Sequence, residues 1–218
     1  MKQVGYLLIL MTVIFFLWES PVLVPLKLLV VFFHESSHAL MAVATGGEVS
    51  SLVVNSDQGG HVIARGGSRF LTLSAGYLGS LCWGMAIFLA STRTRMDKSL
   101  MMGLGVAILV IAVLYVRNLF GLGFSLLAGG GMIFISRQAS EAVNDFVLRL
   151  IGLTNMMYAP LDIYSDTVAR SHLRSDARML AEEVGGATVI WGGVWIAISV
   201  YLIAYCLRVS LRARGGRW

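Results

Sequence analysis

The chain has 218 residues, of which 57% are hydrophobic and only 13% charged, with a mean hydropathy of +0.77. Soluble domains carry roughly a quarter charged residues, so this composition excludes one and points to a polytopic protein whose helices sit in a lipid bilayer. The formal net charge of +5 is not gathered into a cationic stripe interleaved with aromatics, which excludes a nucleic-acid partner.

Apolar stretches of spanning or near-spanning length run at about 4–18, 22–45, 70–90, 99–116, 119–135, 141–162 and 186–207. The first ends at Glu19-Ser20-Pro21, a charge, a capping hydroxyl and a residue that cannot continue a helix. It lacks a strongly basic lead and a small-residue cleavage site, so it reads as a retained span. Residues 46–69 begin Gly46-Gly47 and alternate β-prone runs, Val49 to Val54 and His61 to Ala64, with the turn residues Asn55-Ser56-Asp57-Gln58-Gly59-Gly60. This reads as a small hairpin able to take an extended substrate as an added strand, or as a plain connecting loop. The sixth stretch is diluted by Asn144, Asp145 and Arg149, which leaves the count at six or seven transmembrane helices. Gly129-Gly130-Gly131, Gly192-Gly193 and the pair Gly76 and Gly79 suit close helix packing, and Cys82 and Cys206 read as packing residues.

The expected fold is therefore an all-α polytopic membrane protein with a small β-hairpin or loop after its second helix. It forms a single domain over 1–218, with a catalytic core at about 22–170, a carboxyl-terminal span at about 186–207 and a basic tail. With seven spans, the tail residues Arg208, Arg212, Arg214 and Arg217 join Arg93, Arg95, Lys98 and Arg137 on the cytoplasmic side.

The chemistry lies in the second stretch, where Phe32-Phe33-His34-Glu35-Ser36-Ser37-His38-Ala39-Leu40 places two imidazoles and a carboxylate within an apolar helix. His34 and His38, four residues apart, share one helical face and can grip one cation. Glu35 beside them suits the general base for a metal-activated water. Ionisable groups at such depth are costly, which favours a functional site over a chance motif.

A hydrolytic zinc site takes three protein ligands, so a third is needed from His61, Asp162, Asp166, His172, Glu182 or Glu183. Asp162 follows Pro160-Leu161 at a point where a helix is expected to open and aim a carboxylate inward, and Asp166 shares its helical face as the main rival. His61 can reach the site from the hairpin, whereas His172 reads as a solvated loop residue.

The elements His34-Glu35-Ser36-Ser37-His38-Ala39, Thr45-Gly46-Gly47, Ser74-Ala75-Gly76-Tyr77-Leu78-Gly79-Ser80 and Leu161-Asp162-Ile163 with Asp166 together resemble the site-2 protease family of membrane zincins, over roughly residues 22–170. The likeness is closest to the small bacterial branch without a PDZ domain. It implies zinc held by His34, His38 and Asp162, water activated by Glu35, hydrolysis of membrane-protein substrates in or near the bilayer, and a multi-pass protein of the bacterial cell membrane. Well-known members carry Asn-x-x-Pro…Leu-Asp-Gly; here Pro160 directly precedes Leu161-Asp162, Ile163 replaces the glycine, and Asn155 is the nearest counterpart of the asparagine that holds substrate backbone. The competing classes are a proteolytically silent zinc-containing scaffold or chaperone, and a metal transporter. An intact Glu35 argues against the first, and the lack of repeated ligand pairs or an inverted repeat argues against the second.

Overall fold

A computed structural model describes residues 2–212; Arg214 and Arg217 of the basic tail lie outside the described residues. In chain order it contains α1 (Lys2–Phe16), α2 (Val24–Ala44), β1 (Glu48–Val54), β2 (Gly60–Arg65), α3 (Arg69–Arg93), α4 (Asp97–Tyr115), α5 (Leu119–Gln138), α6 (Glu141–Tyr164), α7 (Asp176–Val184) and α8 (Thr188–Arg212). A short 3-10 turn, Pro21–Leu23, leads into α2, and a π-helical turn, Ser165–Ala169, follows α6.

Five helices are long and apolar enough to cross a membrane: Pro21–Ala44, α3, α4, α5 and the α8 segment Thr188–Leu211. Their outer faces carry large exposed side chains such as Leu119, Leu127, Phe134, Val113 and Tyr201, as expected where lipid is the solvent. The protein is an all-α polytopic membrane protein with one small antiparallel sheet. The other two stretches read as spans differ for physical reasons. The apolar part of α1, Gly5–Phe16, is short, and α6 is polar because it lies inside the bundle. Arg149 is fully buried there with its Nε 2.7 Å from Asp145 Oδ1, and Thr154 and Asn155 donate back to carbonyls of their own helix.

The second helix starts cleanly because the Ser20 hydroxyl accepts from the Val22 amide and Pro21 needs no donor. It ends at Thr45, where Gly46 turns with φ +88°, and a Cβ on Gly47 would stand 2.9 Å from the Ala42 carbonyl. Only glycine permits that reversal, which drops the chain into the hairpin beside α2. Strand β1 pairs with β2 from Glu48↔Arg65 to Val54↔Gly60, with a bulge between Val49 and Ser51. The hairpin expected within 46–69 is therefore present.

The far edge of β1 is covered. Leu52 bridges Val116, the Arg117 amide donates to the Leu52 carbonyl, and the Asn118 side chain both donates to the Val54 carbonyl (2.7 Å) and accepts from its amide (3.3 Å). The outer edge of β2 pairs with no strand among the described residues. Around the hairpin, α3 packs between α2 and α6, and α4 lies against α5 where Gly105 and Gly129 bring the backbones together. Cys82 and Cys206 are free thiols.

Candidate metal centre

One stripe of α2, comprising Lys27, Val31, His34, Glu35, His38 and Ala42, lines a cleft of about 1160 Å³. The opposite walls come from the loop before β2 and β2 itself, from the first turn of α3, and from the segment running from the end of α6 into α7. The stripe exists because helical spacing aligns residues three and four apart, so the residues that carry chemistry share a face while Leu29, Val30 and Phe33 pack into the bundle.

Within the cleft His34, His38 and Asp176 form a three-residue group whose candidate ligand atoms all lie within 4.8 Å of one another. Asp176 Oδ2 is 3.0 Å from His34 Nε2 and 3.1 Å from His38 Nε2. The Nδ1 of His38 donates to the Thr72 carbonyl at 2.6 Å. A carbonyl can only accept, so Nδ1 carries the hydrogen and Nε2 of the neutral ring turns its lone pair toward the carboxylate. Two electron-rich atoms hold that separation only with a positive centre between them, a proton or a metal cation. Burial alone would raise the Asp176 carboxyl, but the imidazoles of His38 and His34 hold it well below the ordinary carboxylate range.

The walls are shaped for the imidazoles. A Cβ on Gly76 of α3 would stand 2.4 Å from His34 Nε2 and 2.5 Å from His38 Nε2, so only glycine leaves room for both rings. The ring of Tyr77 meets His34 edge to face at 5.2 Å, and its hydroxyl donates to Asp166 Oδ2 at 2.6 Å. Two imidazole nitrogens and one carboxylate oxygen, with an outer carbonyl fixing one tautomer, match the donor set of a zinc site that keeps a position open for reaction. Glu35, 5% exposed, lies beside them against the hairpin, where a Cβ on Gly60 would be 2.8 Å from its Oε1.

For the third ligand the sequence favours Asp162, with Asp166 as rival, whereas the structure brings Asp176 to the two histidines. Pro160 does not open the helix; α6 continues through it to Tyr164. Asp162 and Asp166 line the same cleft but bind other partners. Arg170 Nη2 lies 3.9 Å from Asp162 and 3.0 Å from Asp166, and Tyr158 lies close to the Asp162 carboxylate. Glu182 and Glu183 pair with Arg178 and Arg69, and His172 is exposed in the loop before α7.

Asp176 is not among the third-ligand candidates that the sequence offers. Its signal was a short helix: Ser175 caps the Arg178 amide, and Ala177 and Leu180 form a buried stripe against Leu73, Tyr77 and Trp195. That packing, with the Arg69–Glu183 ion pair at 2.9 Å, sets the first residue of α7 over the two histidines. Asn155 also departs from expectation. It is buried between α3 and α6, where a Cβ on Gly84 would touch its Cβ, and it is not among the residues lining the cleft. His61 does line the cleft, exposed on β2 and close enough to act electrostatically on Glu35.

A protein-family model described as Peptidase M50B-like matches residues 7–206. No curated protein and no solved structure matches the chain.

Proposed function

The chain belongs to the Peptidase M50B-like family, the site-2 protease family of membrane metalloproteases, and from that membership and the geometry of the cleft we propose that it is a zinc-dependent intramembrane endopeptidase. In this reading the whole chain acts as one membrane-embedded domain, His34, His38 and Asp176 hold the ion, and Glu35 is the general base. Zinc at that position would supply Lewis acidity to the scissile carbonyl and bring the pKa of water toward neutrality.

The chain's own residues do the rest. Glu35 takes a proton from the attacking water and passes it to the nitrogen of the leaving amine, a transfer that favours a carboxylate shielded from bulk solvent. A substrate helix must first unwind, and its freed amides and carbonyls then need partners at a depth where water is scarce. The unpaired edge of β2, which runs along the cleft through Gly60, His61, Val62 and Ala64, offers them as an added strand. His61 contacts the substrate beside Glu35, and the Asn118 hook keeps the hairpin in place from the other side.

The observation that carries the reading is the meeting of two α2 imidazoles with a distant carboxylate, 142 residues beyond His34, next to a buried glutamate and an open strand edge. The test compares purified wild type with Glu35→Gln, measuring bound zinc and cleavage of a membrane-spanning peptide. Zinc is expected to be retained while turnover falls by about 100- to 10,000-fold, the usual share of a general base. Undiminished cleavage by Glu35→Gln would remove this mechanism.

A further inference from the structure

Lys27 lies on the same stripe of α2 as the histidines, seven residues before His34, and lines the cleft although it is only 7% exposed. Its ammonium sits 5.1 Å over the centre of the Trp18 ring. Among the described residues it has no carboxylate within ion-pair distance, the exposed Glu19 at the cleft mouth included, and no hydrogen-bond acceptor. The ammonium keeps contact with the cleft but little with bulk water, and an aromatic face meets only part of a cation's need for partners. The remaining donors point to an anion that arrives from outside.

We propose that Lys27 selects substrates by receiving a carboxylate of the bound peptide, either an acidic side chain or the chain's own C-terminal carboxylate. The spacing specifies where. Seven residues of helix place Lys27 about 10 Å along α2 from His34. An extended peptide advances about 3.3 Å per residue, so the carboxylate stands about three residues from the scissile bond. Trp18 and Tyr158, whose rings pack 5.8 Å apart at this end of the cleft, give that part of the peptide an apolar seat beside the charge. The inference rests on the protease reading for its substrate class, and its test is arranged to survive failure of that reading.

The probes are membrane-spanning peptides in uncharged detergent, identical except for Asp, Asn or Lys at successive positions, each with a free or amidated C-terminus. Their binding to Glu35→Gln protein requires no turnover and is followed by peptide fluorescence anisotropy; cleavage by the protein with Glu35 intact is mapped by mass spectrometry. Protein with Lys27 is expected to favour carboxylate over carboxamide by about 10- to 100-fold in Kd, the usual worth of a charge-assisted pair. Lys27→Met brings that ratio near one, Lys27→Arg restores it, and Lys27→Glu turns the preference toward the lysine peptides. A preference at an internal position about three residues from the cut assigns an acidic side chain; one that follows only the free terminus assigns the C-terminal carboxylate. Equal weakening of acidic and neutral peptides in Lys27→Met would make the residue structural, and absence of peptide binding would also overturn the proposal. So would loss of carboxylate discrimination together with displacement by phosphatidylglycerol, which would assign the ammonium to lipid headgroups. Carboxylate selection without cleavage would leave the inference standing and remove the protease reading alone.

Discussion

In the proposed zinc site Asp176, and not Asp162, supplies the carboxylate. Asp176→Asn keeps the size of the side chain and removes its charge. In the structure that carboxylate holds two imidazole nitrogens through one oxygen, at 3.0 and 3.1 Å. A cation seated between them would lose its one anionic donor, and removing one partner of a buried charge pair costs about 3–5 kcal/mol, or roughly 100- to 5,000-fold in affinity. Partners outside the ligand shell usually account for about 10- to 100-fold, and a ligand should exceed them. Asp162→Asn keeps its neighbours Tyr158 and Arg170 and leaves the three-residue group untouched, so its zinc affinity should stay near wild type. Both variants are purified in detergent, zinc is counted by mass spectrometry, and affinity is read by chelator competition. Zinc retained by Asp176→Asn and lost from Asp162→Asn would refute the assignment and return the role to α6.

Two further outcomes follow from close contacts. Gly76→Ala places a methyl where His34 Nε2 and His38 Nε2 now stand; overpacking of this kind costs about 1–3 kcal/mol, so zinc affinity should fall by about 5- to 100-fold, and unchanged zinc binding would disprove the tight fit. Asn118→Ala leaves the amide and carbonyl of Val54 without their side-chain partner at a cost of about 1–3 kcal/mol. Amide exchange across residues 48–65 should quicken while bound zinc is unchanged, and protection equal to wild type would show that the hook does not hold the hairpin.

Much of this was legible in the sequence because lipid imposes simple patterns. The apolar runs gave helix positions to within a few residues, and the glycine and asparagine turns marked the hairpin. His34, Glu35 and His38 were readable because one turn of helix fixes their relation without any knowledge of the fold. The third carboxylate was not, because long-range convergence leaves no periodic trace. Pro160 drew attention to Asp162 through a rule about helix breaking, yet inside a packed bundle α6 carries the proline to Tyr164. Asp176 sits at the first position of a nine-residue helix, where an aspartate is usually read as a favourable end charge. The polarity of α6 likewise left the number of spans open, whereas Arg149 and Asp145 pair with each other in the interior.

The placement of Asp176 on α7, and not on the helix that carries the histidines, means that the three-residue group is completed late in chain order. During synthesis the motif on α2 is made long before residue 176, and α7 packs against both the earlier α3 and the later α8. A chain grown only through α6 thus holds two of the three groups that meet in the cleft. The order of residues along the chain thus fixes the order in which the walls of the cleft arise.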